Sequence, residues 1–440
     1  MAGKSESIVR RAEATADQRG VGSARVELRH DVRAELSDEQ HLALAAAESV
    51  PLELRVDAVL AQASSEAGLD DFGPDDFVER LGVLLDVIAW EGHTKLTQVN
   101  AHRRIVNKAV NRLLTIDLLK RHPEIHQQKI EAPLIVAGLP RSGTTHLLNL
   151  IAADSRFQST PYWEVLRPVP LLPEDEIGPD GVDPRWLRCE QAWQEMLRRN
   201  PHAEASHPFN ADHISEDGEL QMQDFSSYVW EFSLYAPDWR DYYYAHDQTP
   251  HYEFEKTLLK ILQWQRGGER KRWIVKAPQH FEQLVPIMNV FPDAIVLFTH
   301  RDPVASLQSI VTGRIAGALM RERTRETRRD LEYWIERYGH LLDAYLRDSQ
   351  LLPRAQQFDV LFHEFVGDDV ATVERIYATA GLKMTDQARA ELTSYMSGHQ
   401  RGAHGQYVFD LRGDFGIDPA AIRARYRDYT EAIPVRVEAR

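Results

Sequence analysis

The reading of this chain turns on Pro133-Leu134-Ile135-Val136-Ala137-Gly138-Leu139-Pro140-Arg141-Ser142-Gly143-Thr144-Thr145-His146-Leu147-Leu148. The apolar run after Pro133 reads as a buried strand, and the apolar-periodic segment after Thr145 reads as a helix. Between them Gly138 and Gly143 mark a tight loop. Strand, glycine loop and helix in that order aim backbone N–H groups and a helix N-terminus at a phosphate. The spacing from Gly138 to Gly143 matches the opening of the P-loop pattern, which then calls for Lys followed by Ser or Thr; here Thr144 and Thr145 stand at those positions. In nucleotide triphosphatases that lysine reaches the β and γ phosphates and the next hydroxyl holds Mg²⁺. Without the lysine, the loop suits a shorter anion such as a nucleotide 5′-phosphate. Arg141 places a fixed cation in it, and Ser142, Thr144 and Thr145 add hydroxyls.

A chain of 440 residues fits one large α/β domain or two ordinary ones. The formal charge of −15 argues against non-specific nucleic-acid binding. It also means that an anionic ligand needs Lys and Arg gathered at one place. The longest apolar candidate for a membrane span, Leu81 to Trp90, is short and contains Asp86, so no stable membrane insertion is expected. The start, Met-Ala-Gly-Lys-Ser-Glu, lacks the apolar core of a signal peptide, which points to the bacterial cytoplasm. The lone Cys189 leaves no internal disulfide framework and no Cys-based zinc site.

Outward from the loop, residues 1–35 are charged and poor in large apolar side chains, as in a flexible extension. Residues 36–130 carry helical signals: a capped start at Ser37, an acidic start at Pro74-Asp75-Asp76 with Phe77, Leu81, Leu84, Leu85 and Ile88 at helical spacing, and a helix over about 101–119. They read as a helical cover. Ser159 to Val165 follows the first helix of the α/β core and should return towards the strand ends. Glu164 there sits among Tyr162, Trp163 and Val165, an apolar setting that favours a carboxylate acting as proton acceptor.

Residues 168–270 are broken by prolines. They hold a polar cluster (His207, Asp212, His213, Glu216, Asp217, Glu219) and an aromatic run from Phe225 to Tyr244. The cluster matches no compact metal motif. The aromatic run reads equally as core or as the wall of a pocket for an apolar alcohol.

Two later stretches repeat the logic of the loop. Arg272 to Val275 reads as a strand with Lys276 at its carboxyl edge, and Pro278 opens a helix in which His280 is either a second candidate acid or base or a positioning or capping residue. Ala294 to Thr299 reads as another strand; Arg301 leaves its end, Asp302-Pro303 cap a helix, and Ser306 and Ser309 share one helix face. An arginine and a helix-borne serine can converge on one phosphate. Phe358 to Phe362 is a further strand, ending in His363; Gly398 to Gly405 is a glycine-punctuated loop; Tyr407 onward reads as a closing helix and a tail over 431–440.

At these residues the chain resembles the sulfotransferases that use 3′-phosphoadenosine 5′-phosphosulfate (PAPS), in particular the bacterial sulfotransferase-like family and, more distantly, the tyrosylprotein sulfotransferases. Their 5′-phosphosulfate loop reads Pro-Lys/Arg-Ser-Gly-Thr-Thr, and Pro140, Arg141, Ser142, Gly143, Thr144 and Thr145 match it throughout. The resemblance covers about 70–430. It implies a P-loop-type three-layer α/β fold over 131–430, with a central parallel sheet, the N-terminal helical cover and a helical acceptor-binding insertion over 168–270. It implies Arg301 and Ser309 on the 3′-phosphate, Lys276 on the bridging oxygen, Arg141 stabilising charge on the donor with Lys276, Glu164 as the base that activates the acceptor, and Arg401 and Gly402 in a late loop closing over the 3′-phosphate. His363 stands where the family often has a tyrosine on adenine.

The implied reaction is sulfonyl transfer from PAPS to a hydroxyl or amine of a small, apolar or aromatic acceptor, leaving PAP (3′-phosphoadenosine 5′-phosphate), with no metal. A P-loop kinase-like enzyme and a non-catalytic nucleotide-binding scaffold stay open as alternatives, and a homo-oligomer is compatible with the sequence.

Overall fold

The computed structural model describes residues 9–11, 27–179, 181–199, 209–399 and 406–438. Four helices come first: α1 (Asp38–Glu48), α2 (Val56–Ala67), α3 (Phe77–Ala89) and α4 (Lys95–Arg121). Ser37 starts α1 through a reciprocal capping box with Gln40, and the Thr94 hydroxyl caps α4 by accepting from the Thr97 N–H. α4 starts well before the expected span and ends close to where it was expected. Its middle is buried and carries Ile105, Ala109 and Leu113 into the main core.

The sheet that follows is parallel throughout. Its strands are β3 (Leu134–Gly138), β4 (Phe157–Gln158), β5 (Arg272–Lys276), β6 (Ile295–His300) and β7 (Gln357–Leu361), in the spatial order β4-β5-β3-β6-β7. β3 shows why both faces are covered: Ile135 and Ala137 enter one apolar cluster, while Leu134 and Val136 enter the other. Alternate residues of a strand point to opposite faces, so a continuous apolar run demands a layer on each side. One face packs against the helical cover and the aromatic segment. The other packs against α5 (Thr144–Ala152) and the elements around Ile376 and Leu392.

The order places the site. β3 lies between β5 and β6, with Val136 level with Lys276 and Gly138 level with Thr299. The carboxyl ends of three strands therefore open side by side, and the chain reverses direction across the sheet there, where ligands of open α/β sheets bind.

Several expectations change. Residues 9–11 and 27–30 of the supposed flexible extension are strands: β1 (Val9–Arg11) pairs antiparallel with β2 (Glu27–His30), and β2 pairs with β8 (Gln406–Tyr407). The rest of residues 1–26 lies outside the described residues. The helix from Pro278 is split into a 3₁₀ turn, Pro278–Phe281, and a separate helix, Leu284–Val290. The single closing helix is three short ones, Leu411–Phe415, Pro419–Arg425 and Arg427–Ala432; the left-handed Gly416 ends the first and Pro419 opens the second. In the aromatic run, Tyr228, Trp230, Trp239 and Tyr243 are core residues, almost wholly inaccessible, so they do not wall a pocket. Among the described residues no helix is long and apolar enough to cross a membrane.

Candidate active site

The site is built where β3, β5 and β6 end. Gly138 is required by the closeness of β3 and β6: a Cβ there would clash with the Thr299 hydroxyl and lie 2.8 Å from the Thr299 carbonyl oxygen. Beyond it, Arg141 (φ 67°) and Gly143 (φ 95°) both adopt left-handed backbone, which bends the loop around the N-terminus of α5. A side chain at Gly143 would also press on the Phe362 ring, at 2.9 Å.

The loop is braced from below. The Pro140 carbonyl accepts hydrogen bonds from the Ser306 hydroxyl, on α9 (Pro303–Ala316), and from the Tyr338 hydroxyl at 3.3 Å, on α10 (Thr327–Asp348). Ser142 is turned inward. Its hydroxyl donates to the Leu139 carbonyl at 2.6 Å and lies 2.6 Å from the Thr299 hydroxyl, and its N–H donates to Leu139 at 3.2 Å. The expected ligand-facing hydroxyl of Ser142 is thus spent on loop shape. Thr144 is buried as well, whereas Thr145 faces Lys276.

Cationic groups from three strand ends meet on this loop. Lys276 Nζ donates to Thr145 Oγ1 at 3.3 Å and to Glu216 Oε1 at 2.6 Å. Arg141 Nε donates to Ser309 Oγ at 3.2 Å. Arg301 Nη1 donates to the Arg141 carbonyl at 2.7 Å, and its other edge grips the Glu438 carboxylate. Arg141 reaches solvent, yet desolvation by the surrounding protein, and then the nearby Arg301 guanidinium, hold its pKa below the usual arginine value. Asp302 caps α9 through the Val304 N–H, at 3.1 Å, as its sequence position predicts.

Both candidate bases are held by other side chains. Glu164 does not sit in an apolar setting; its carboxylate is paired with Arg266 at the C-terminal end of α8 (Thr249–Arg266), which also holds Gln158 and the Ser159 carbonyl at the edge of the sheet. His280 is fully buried. Its Nε2 lies 3.0 Å from both carboxylate oxygens of Asp217 and its Nδ1 lies 2.7 Å from the Tyr252 hydroxyl, so it positions Asp217 and reaches no open space. His363 follows β7, but the ring that meets Arg301 is that of Phe362, with the guanidinium carbon 4.2 Å from its centroid. Arg401 and Gly402, like His207, lie outside the described residues.

A loop-and-cation arrangement of this kind on a parallel sheet agrees with the family comparison, in which the model of the sulfotransferase family matches residues 133–386. The chain belongs to the sulfotransferase family. The curated omega-hydroxy-beta-dihydromenaquinone-9 sulfotransferase Stf3 of Mycobacterium bovis is 22% identical over 276 residues, which is 61% of this chain and 68% of that one. The solved sulfotransferase STF1 of Mycobacterium tuberculosis H37Rv is 27% identical with a TM-score of 0.71, over 85% of this chain and 98% of its own. STF9 of Mycobacterium avium, at 23% identity, shares the fold with a TM-score of 0.77, over 89% and 100% of the two chains.

In this sulfotransferase, sequence reasoning passed over Phe362, Tyr338 and Glu438 and gave Glu216 no role beyond a polar cluster. That cluster was the one signal for Glu216; an aromatic at the end of β7 was the signal for Phe362. Among the described residues no group of three His, Cys, Asp or Glu side chains is arranged to hold a metal ion.

Proposed function

We propose that this sulfotransferase moves a sulfonyl group from PAPS to a hydroxyl, or an amine, of a small acceptor of apolar or aromatic character. The observation that carries the reading is the convergence of Arg141, Lys276 and Arg301 on one loop of a protein with a net charge of −15. Field lines from such a cluster draw in a multiply charged nucleotide. The donor set fits: the left-handed loop and the α5 N-terminus suit a 5′-phosphate, and Arg301 already holds an anionic oxygen pair, that of Glu438, where a 3′-phosphate would bind.

In this reading Pro140 to Thr145 cradle the 5′-phosphosulfate, and Arg301 with Ser309 hold the 3′-phosphate. Lys276 stands where charge develops on the departing phosphate oxygen, so it stabilises the transition state more than the ground state. Phe362 takes over the adenine-side position first given to His363. The insertion over 168–270 meets the acceptor through its polar loop, since its aromatic run belongs to the core. The name of Stf3 specifies a hydroxylated dihydromenaquinone, and carrying that to this chain supports an acceptor whose hydroxyl sits on an apolar body.

Calorimetric titration of PAP, 5′-AMP and ATP·Mg²⁺ into wild type and Arg301→Ala tests the donor. Binding that needs both the 3′-phosphate and Arg301 is the expected result. A preference for ATP·Mg²⁺ would favour the kinase-like alternative and remove this one.

A further inference from the structure

Glu216 and Lys276 face each other beside the first turn of α5. Lys276 is nearly inaccessible and bridges Glu216, at 2.6 Å, to Thr145 in the first turn of α5, at 3.3 Å. A carboxylate on the far side of that ammonium group lies one side chain away from the place where a 5′-phosphosulfate would end.

The segment carrying Glu216 is held rigidly. The Ser215 N–H donates to the Thr160 carbonyl at 2.8 Å, and the Thr160 hydroxyl donates to the Ser215 carbonyl at 3.0 Å. The Asp217 N–H donates to the Lys276 carbonyl at 3.2 Å, and the Asp217 carboxylate is clamped by the buried His280. Of the other acids of the run, Glu219 is buried against Arg104 and Lys108, and Asp212 accepts a hydrogen bond from Trp186 Nε1 at 2.9 Å. The Glu216 side chain keeps 22% of its surface open, against 0% for Asp217. A pre-organised carboxylate with one face to solvent, beside the cation that meets the leaving group, is how a general base is supported.

We propose that Glu216 is the base that activates the acceptor, a role that rests on the PAPS reading above. When the donor occupies the loop, Lys276 turns from Glu216 to the bridging oxygen and frees the carboxylate. The acceptor oxygen then forms a bond to sulfur, the bond between sulfur and the bridging oxygen breaks with its electron pair remaining on the phosphate of PAP, and the acceptor proton passes to Glu216. The charged and titratable groups around this point are Lys276 from β5, His213 and Asp217 from the loop of Glu216, and His280 behind Asp217; Thr145 faces it from α5. Burial, and then Lys276, push the His213 pKa down to about 4, so His213 is neutral near pH 7 and is the rival base on the same loop.

The test uses the full chain and three variants, Glu216→Gln, Glu164→Gln and His213→Asn. PAP titration comes first, because a wild type that does not bind PAP removes the donor reading itself. Single-turnover consumption of PAPS is then followed against pH, with water as the minimal acceptor and a series of phenols and primary alcohols added. Glu216→Gln is expected to bind PAP at least as tightly as wild type, to slow turnover about a hundredfold or more, and to lose the acid limb of the pH profile. Phenols of greater acidity should suffer least. Survival of the limb in Glu216→Gln, or its loss in Glu164→Gln or His213→Asn, overturns the proposal.

Discussion

Arg301 and Glu438 form a two-point ion pair, Nε to Oε1 at 2.9 Å and Nη2 to Oε2 at 2.7 Å, that closes the segment after the last helix onto the end of β6. The Glu438 N–H also donates to Asp302 at 2.9 Å, so the segment is anchored at two neighbouring points. The paired carboxylate presents to the guanidinium the same two-oxygen edge that a phosphate presents.

A 3′-phosphate seeking Arg301 must therefore displace Glu438. The pair is partly solvent-exposed, so its removal should be worth about 1 kcal/mol, or roughly fivefold in affinity. Glu438→Gln should tighten PAP by about that factor and leave 5′-AMP, which has no 3′-phosphate, unchanged. Calorimetry on the two ligands checks this, and equal tightening of both would show that Glu438 acts through overall charge and not through Arg301.

Lys276 offers a separate prediction at the other end of the site. Its ammonium lies between Thr145 and Glu216, and the P-loop lysine position within the loop is Thr144. Lys276→Gln should lower kcat by about 10²–10³-fold, the usual loss when one donor to a developing oxyanion is removed, while PAP affinity changes far less. A drop confined to KM would instead make Lys276 a binding group.

What the sequence disclosed follows the reach of each interaction. The loop, the Asp302 cap and the Ser37 capping box depend on residues within a few positions of one another, and they stand where local chemistry puts them. Lys276, Arg301 and Ser309 were legible as strand-end and helix-face positions, because a parallel sheet brings its carboxyl ends together. The Glu216–Lys276 and Arg301–Glu438 pairs join loops far apart in the chain, and no periodicity encodes a contact of that kind. The Phe225 to Tyr244 run was ambiguous for another reason: an apolar side chain has the same pattern in a core as in a pocket, and only burial separates the two. Glu164 was misjudged because its neighbours in sequence are apolar while its neighbour in space is Arg266.

The helical side of the core holds a buried charge cluster with its own consequence. Arg337, on α10, is fully buried and donates to Glu231 at 3.0 and 3.1 Å and to Glu282 at 2.7 and 2.5 Å. Arg337→Met leaves two buried carboxylates facing each other without a cation. It should cost about 3–5 kcal/mol, seen as a lower urea midpoint. Adding Glu231→Gln and Glu282→Gln to Arg337→Met should recover part of the loss. Failure of the triple variant to recover any would mean that packing, not charge, sets the cost.

His93 ties stability to pH. The ring is fully buried beside Trp90, and its Nε2 accepts the Tyr235 N–H at 3.2 Å, which a protonated ring cannot do. Burial chiefly, with Arg314 and Arg329 adding to it, lowers its pKa from 6.5 to about 4. Between those values the unfolded chain binds a proton at this residue and the folded one does not. The stability it contributes is therefore complete above about pH 6.5 and falls as the pH drops towards 4, by up to about 1.4 kcal/mol per pH unit. His213 loses stability over the same window, so the measurement must be a difference. Urea unfolding of wild type and His93→Gln at pH 7 and pH 5 should give a smaller loss for the variant, whose side chain keeps an acceptor and cannot take the proton. Equal losses in the two proteins would place the pH dependence in other groups.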